Sequence, residues 1–241
     1  MIGLSIAKFY SALGYSVVVL EKESRAGEGI SSRNSGVIHG GMYYPANSLK
    51  TKFCIEGNKM LYKYAKLKNI SHKKLGKYII ASQDSDLNKL DKIYEQGISN
   101  RAKIKRCSKD EMQAEYPDLI LAGGIYSSET GIIDVPELIS ALEGDIQRNS
   151  GTVAFNTSFK SATKVDNLFE IICDDGNEFV VQAKNLVNSA GLTSDLSSRN
   201  IKQLDKKYNY PIHFAKGHYF KYSGSHPFHS LVYPLSDEFS L

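Results

Sequence analysis

The residues best suited to chemistry stand together in "SSRNSGVIHGGMYYP", residues 31–45. Glycine, serine and asparagine make the stretch too irregular for a helix or strand. Small residues let a backbone approach a flat ligand closely. Ser31, Ser32, Arg33 and Asn34 supply donors suited to phosphate oxygens and ring heteroatoms. His39 follows, within reach in sequence of Tyr43 and Tyr44. A second pair, His226 and His229 in "HPFH", has a spacing that holds metal only with a third ligand, and none is near in sequence, so no metal is assigned.

These groups need an element to position them, and the preceding residues describe one. Gly3 and Ala7 are four apart and small, so one face of a helix near the start of the chain can lie against a neighbouring strand. Ile2, Ile6, Phe9, Tyr10 and Leu13 are expected to form the apolar side of that helix. Gly14 stops it, because glycine takes the left-handed conformation without a Cβ penalty. The run 17–20, Val-Val-Val-Leu, reads as a strand buried on both faces, with Glu21 at its carboxyl end. Helix, glycine, strand and acid form the back half of a dinucleotide-binding βαβ unit, in which the acid takes a ribose hydroxyl and the helix N-terminus takes the pyrophosphate. Gly3 occupies the position of the third glycine of G-x-G-x-x-G. An ordinary amphipathic helix followed by a strand is the other reading of this stretch taken alone.

With both segments in view, the chain resembles the FAD-dependent D-amino-acid-oxidase-like (DAO) superfamily, and within it the L-2-hydroxyglutarate oxidase/dehydrogenase group. Three later stretches agree. "TGIIDVPELISALEGDIQRNSGTVAFNTSF" resembles the return from the substrate domain, "AKNLVNSAGLTSDLSSR" a second nucleotide-contacting motif, and "FAKGHYFKY" with "LVYPLSD" strands of the substrate-binding sheet. In the second of these, 185–188 is expected to be a buried strand ending at Ala190 and Gly191. The family normally has a strand and two glycines before Gly3 and a further portion after "LVYPLSD", so both ends of this chain are expected to fall inside domains.

The resemblance implies a mixed α/β fold, with a Rossmann-like FAD-binding domain lacking its first strand interleaved with a β-sheet-rich substrate domain. The expected boundaries are 1–72 and 134–205 for the FAD-binding part, and 73–133 and 206–241 for the substrate part. It implies FAD contacts from Gly3, Glu21, Lys22, Ser31, Ser32, Arg33, Asn34, Ser35, Gly40, Phe159, Ala190 and Gly191. His39 has three possible duties: base for the hydroxyl proton of a 2-hydroxy acid, covalent attachment to flavin, or a packed histidine with neither role. Tyr43, Tyr44 and Lys216 are candidates to orient substrate carboxylates, with aromatic packing the competing duty of the tyrosines. The implied reaction oxidises a 2-hydroxy acid, L-2-hydroxyglutarate, to the 2-oxo acid, with quinone or oxygen as electron acceptor. The alternatives are an amine or glycerol-3-phosphate oxidase of the same fold, an inactive remnant, or half of a split flavoprotein completed by a chain carrying the missing ends.

Composition narrows the classes further. The chain has 241 residues, 41% hydrophobic, with a formal net charge of +4. Lysines are interleaved with acids, and no concentrated basic face with aromatics indicates nucleic acid. The most basic stretch, "KLKNISHKKLGK" at 66–77, reads as the solvated end of a helix leading into a strand. Three cysteines without C-x-x-C spacing argue against a disulfide framework and for a cytoplasmic chain. No spanning run appears, and the resemblance leaves peripheral association with the inner face of a membrane open. Helices are expected at 48–68, 84–97, 109–116 and 137–149, strands at 77–81, 122–126, 131–133 and 152–156, and a hairpin at 168–173 and 178–182 turned by "DDGN".

Overall fold

A computed structural model describes residues 1–235. The first part of the chain runs α1 (Ile2–Ala12), β1 (Val18–Leu20), β2 (Val37–Ile38), α2 (Leu49–Lys68), β3 (His72–Lys73), β4 (Lys77–Ala81), α3 (Leu87–Ser99), β5 (Ile104–Ser108) and α4 (Lys109–Glu115). It continues with β6 (Gly123–Ser127), β7 (Gly131–Ile133), α5 (Val135–Arg148), β8 (Thr152–Ala154), β9 (Ser158–Val165), β10 (Leu168–Asp174), β11 (Glu178–Ala183), α6 (Ser194–Arg199) and β12 (Leu231–Pro234). Two compact units form: residues 1–34 with 135–220, and residues 35–134 with 221–235.

In the first unit, β1 lies parallel to β8, in register from Val18 opposite Thr152 to Leu20 opposite Ala154. A separate antiparallel sheet, β11-β10-β9, closes over Ala162, Ile171 and Cys173. The Asp-Gly of the β10–β11 connection makes its turn with Gly176 at φ 115°, a left-handed value that glycine adopts without strain. Helix α1 ends as the sequence predicts: Gly14 sits at φ 84° and its amide donates to Ser11 O.

The buried face of α1 is not the expected one. Leu4, Ala7 and Ser11 are buried, while Ile2 is 72% exposed and Phe9, Tyr10 and Leu13 also face outward. Helix α1 packs against α5, and close helix packing selects the small stripe rather than the bulky one. Strand β1 differs too, since β8 is its one ladder partner among the described residues and Val18 remains 51% exposed. Residues 185–188 are not a strand: the backbone forms no ladder there among the described residues, and Val187 is exposed. Strand β8 stops at Ala154, because Asn156 takes φ 52°, incompatible with a continuing ladder.

The second unit has two sheets, β12-β4-β6-β5 and β2-β7-β3. Strand β4 is buried along its whole length, between antiparallel β6 and parallel β12. One core cluster gathers Met42, Ile79, Ala81, Leu90, Ile93 and Ile125 under α3, and another gathers Tyr78, Ile80, Cys107, Met112, Tyr116 and Leu121 under α4. Helix α4 begins with a full capping box, Ser108 and Glu111 each bonding the other's backbone amide.

The cut between units falls at 34/35 and not at the expected 72/73. The reason is pairing: β2 and β3 both join β7, which anchors 35–72 within the second unit. Residues 214–222 of "FAKGHYFKY" form no strand, and Phe214, Tyr219 and Phe220 are exposed. Of "LVYPLSD", 231–234 is β12, while 236–237 lie outside the described residues.

Candidate functional site

In the first unit, Ser31, Glu21 and the 188–191 turn lie near the start of α1, while Phe159 lies in the antiparallel sheet and Ser35 and Gly40 belong to the second unit. The Met1 ammonium donates to Ser31 Oγ at 3.4 Å. Burial lowers the proton affinity of that amine, while the charges of Glu21 and Glu143 oppose the shift. Gly3 faces Ser189, and a Cβ built on it would stand 2.5 Å from Ser189 Oγ. The small-residue spacing thus brings α1 against the 188–191 turn, the close approach expected of a third glycine. Glu21 leaves β1 with its amide donating to Ala154 O at 2.8 Å, and its Oε1 accepts from the Glu23 amide at 3.0 Å. Lys22 is exposed and pairs with Glu23 at 3.4 Å.

The turn 29–33 is a short 3₁₀ segment in which Ser32 Oγ donates to Glu28 O and Gly29 O, and Asn34 Nδ2 donates to Ser31 O. Arg33 and Asn34 are exposed. Ala190 is tied to Asn188 Oδ1 through its amide at 3.2 Å. Gly191 adopts φ 59° with nothing within 4 Å of where a Cβ would stand, so its backbone face is open. Phe159 packs against Ala162, Ile171 and Cys173 in the antiparallel sheet. Lys216 stands exposed in the same unit, outside regular structure.

The second unit holds the chemistry around His39. Strand β2 delivers the residue, and the following loop is pinned from three sides. A Cβ on Gly40 would stand 2.7 Å from Ser127 Oγ, and Gly41, at φ 83°, abuts Ile55. Asn100 Nδ2 donates to Gly41 O at 3.1 Å and to Tyr44 O at 2.7 Å, fixing the segment that carries both tyrosines. Asn58 Nδ2 donates to His39 O at 3.0 Å and to Glu129 O at 2.9 Å. Cys54 Sγ also lies 3.7 Å from His39 O. Ser35 is exposed at the start of this unit.

These ties come from a largely polar face of α2. The helix spans the predicted residues, and Ser48 caps it through the Thr51 amide at 3.1 Å. Its buried stripe is Thr51, Asn58 and Ala65, however, while Leu49 is 68% exposed and Phe53, Met60 and Leu67 are also exposed. Asn58 and Thr51 face inward and donate to the backbone carbonyls of His39, Glu129 and Pro45, with Tyr62 Oη a second donor to Glu129 O at 3.2 Å.

Two buried nitrogens at this centre lack hydrogen-bond partners among the described residues. His39 Nδ1 is buried without one among the described residues. Burial, followed by the charges of Lys77 and Lys50, lowers the imidazole pKa to about 4, so it is neutral at physiological pH. Lys77, the first residue of β4, is fully buried, and its Nζ also lacks a hydrogen-bond partner among the described residues. Its ammonium lies 4.5 Å from the centre of the Tyr43 ring and 4.6 Å from that of Tyr233. Burial lowers its pKa to about 8, with Cys54 opposing the shift. Burial likewise raises the Tyr43 and Tyr44 hydroxyls, and Lys50 Nζ rests 4.3 Å over the Tyr44 ring.

Sequence reasoning placed Lys77 in a solvated basic stretch and missed Asn58, Lys50, Cys54 and Tyr233. One signal was available: Lys77 opens the apolar run 78–81, where a charged residue is costly to bury. His229, read as a weak metal candidate, packs against Tyr116 and lies 3.7 Å from Glu115. No helix among the described residues is long and apolar enough to cross a membrane.

A helix whose N-terminus meets an acid-tipped parallel strand and a glycine turn, carried with a mixed α/β second unit, defines a flavoprotein-type oxidoreductase fold. The chain belongs to the DAO family: the family model described as FAD dependent oxidoreductase matches residues 1–240. It is 33% identical over 269 residues to the mitochondrial L-2-hydroxyglutarate dehydrogenase of Arabidopsis thaliana, covering 99% of this chain and 56% of that protein. It is 27% identical to the L-2-hydroxyglutarate dehydrogenase of Escherichia coli, covering 92% of this chain and 52% of that protein. The chain therefore spans about half the length of the curated relatives it matches. Among solved structures, L-α-glycerophosphate oxidase from Mycoplasma pneumoniae with FAD bound superposes with a TM-score of 0.76 at 24% identity, over 83% of this chain and 54% of that one. Glycine oxidase from Geobacillus kaustophilus gives 0.74 at 17% identity, over 83% and 55% respectively.

Proposed function

We propose that the chain carries the nucleotide-contacting and substrate-contacting parts of an FAD-dependent oxidoreductase that converts L-2-hydroxyglutarate to 2-oxoglutarate. The sequence likeness to L-2-hydroxyglutarate dehydrogenases supports the substrate. The state of His39 carries the chemistry: a buried, unpartnered ring nitrogen that is neutral at physiological pH can accept the hydroxyl proton.

The residues present fit the adenosine-diphosphate half of FAD. Gly3 permits the close approach of α1 to Ser189, Gly191 leaves an open backbone face, and Glu21 follows a parallel strand where a ribose hydroxyl is received. Ser31, Ser32, Arg33 and Asn34 supply phosphate donors, with Lys22 and Ala190 at the margin. Ser35, Gly40 and Phe159 are the further residues that the resemblance assigns to cofactor contact. FAD, when bound, supplies the two-electron acceptor for the hydride leaving C2, and quinone or oxygen is the terminal acceptor. His39 takes the hydroxyl proton at Nδ1, Asn58 fixes the His39 backbone, and Tyr43 and Tyr44 wall the substrate.

The test is anaerobic mixing of the FAD-loaded chain with L-2-hydroxyglutarate, read as bleaching of flavin absorbance. Bleaching by the L-acid, with His39→Gln slowing it by about 10²-fold or more while FAD binding persists, is expected. Bleaching by amines or glycerol 3-phosphate instead, or an unaffected His39→Gln, overturns the assignment.

A further inference from the structure

A buried lysine normally has an acidic partner, because an ammonium taken from water without hydrogen bonds costs several kcal/mol. Among the described residues Lys77 has none: its Nζ makes no hydrogen bond, and Cys54 alone opposes the loss of proton affinity that burial imposes. Glu129, whose backbone carbonyl shares the Asn58 donor with His39, keeps its carboxylate on Lys74 at 2.6 Å and Lys103 at 3.2 Å. The aromatic faces of Tyr43 and Tyr233 attract the cation but offer its N–H groups no lone pairs of the carboxylate kind. His39 Nδ1, whose proton affinity Lys77 depresses most among the neighbouring charges, is likewise without a partner. Two buried nitrogens of one unit, close enough for the charge of one to depress the proton affinity of the other, thus stand unsatisfied among the described residues, one cationic and one neutral.

An α-hydroxy carboxylate has the complementary pair of groups on adjacent carbons. Its carboxylate accepts from an ammonium, and its hydroxyl donates to a neutral imidazole nitrogen. We propose that Lys77 is the carboxylate anchor of this site, pairing with the C1 carboxylate of the substrate while His39 Nδ1 receives the adjacent hydroxyl, with Tyr43 and Tyr233 as the walls. The pairing with the hydroxyl rests on the function proposed above; the anion site itself does not. Lys216, by contrast, is exposed, where water screens its charge.

The lysine makes a specificity filter as well as an anchor. A neutral or cationic ligand leaves the buried ammonium unpaired, so the site rejects it by desolvation and repulsion. The site accordingly selects small carboxylic acids over amines and simple alcohols.

Glutarate tests this, because it has the carboxylate and lacks the hydroxyl, and so binds without reacting. Wild-type chain, uniformly labelled at lysine Cε, is titrated with glutarate, following the Lys77 resonance and its pH dependence, with propylamine as control. The expected result is saturable binding of glutarate with a rise of the Lys77 pKa above its free value of about 8, and no such effect of propylamine. In calorimetry Lys77→Gln weakens glutarate binding by at least about tenfold, and Lys77→Arg retains most of it. Glutarate that leaves the Lys77 resonance unmoved, or that binds Lys77→Gln as tightly as wild type, overturns the proposal. If Lys77→Gln does not fold, the wild-type titration decides alone. Oxidation is read separately by flavin bleaching, so an anion site without L-2-hydroxyglutarate oxidation would sink the proposed function and leave the anchor standing.

Discussion

Replacing Lys77 with methionine should stabilise the protein at neutral pH while removing its affinity for carboxylates. Lys77 is fully buried, and its pKa falls from 10.5 to about 8. Each unit corresponds to about 1.4 kcal/mol, so folding disfavours the charged form by about 3 kcal/mol. Methionine fills nearly the same volume and carries no charge. The attraction of the two tyrosine rings, about 1–2 kcal/mol, is lost with the ammonium, which leaves a net gain of about 1–2 kcal/mol at pH 7. The sign with pH follows from proton counting. Between about pH 8 and 10.5 the unfolded chain holds a proton on Lys77 that the folded chain has lost, so wild-type stability rises with pH across that window. Urea unfolding at pH 7 and pH 10, followed by tyrosine fluorescence, should show the wild type gaining on Lys77→Met as pH rises, until the difference disappears. A Lys77→Met protein that is less stable than wild type by more than 1 kcal/mol at pH 7 would refute the reasoning, because it would mean that the ammonium is satisfied in the folded state.

Asn58→Ala removes the donor shared by His39 O and Glu129 O; a loss of about 1–3 kcal/mol in urea unfolding is expected, with slower flavin bleaching, whereas Asn58→Asp keeps the shape but not the donors and should fare no better. Gly3→Ala sets a Cβ 2.5 Å from Ser189 Oγ and should cost about 1–3 kcal/mol and weaken FAD binding. Adding Ser189→Ala leaves a nearest separation of 3.5 Å, so the double variant should recover most of the loss in both thermal melting and FAD titration. His39 has a folded pKa of about 4 against 6.5, so its neutral state persists as pH falls, and stability drops between about pH 6.5 and 4 as the unfolded state gains a proton first. His39→Gln should flatten that part of the stability profile.

The local grammar of the chain was legible from residue types. Gly14 ended α1, Ser48 capped α2, the Asp-Gly turn set β10 against β11, and the apolar run 78–81 gave β4. These follow from backbone preferences and short-range spacing, which need no knowledge of neighbours. The placement of Gly3 beside a close neighbour was legible for the same reason: only a missing side chain admits such contact.

Which face of each helix turned inward was settled by tertiary structure. On α1 the bulky residues point out and Leu4, Ala7 and Ser11 point in, because α5 approaches closely. On α2 a polar stripe is buried, because the carbonyls of His39 and Glu129 need a donor more than the core needs another leucine. Residues 185–188 have strand composition, yet a strand exists only where a partner completes its ladder, and none of the described residues does so. The sequence by itself determined the close-packed position of Gly3, the acid at the end of β1 and the loop that carries His39. Only the fold decided that Lys77, one charge in a basic run, would be enclosed beside that histidine, since burial is a property of what other segments bring to a position and charge alone cannot report it.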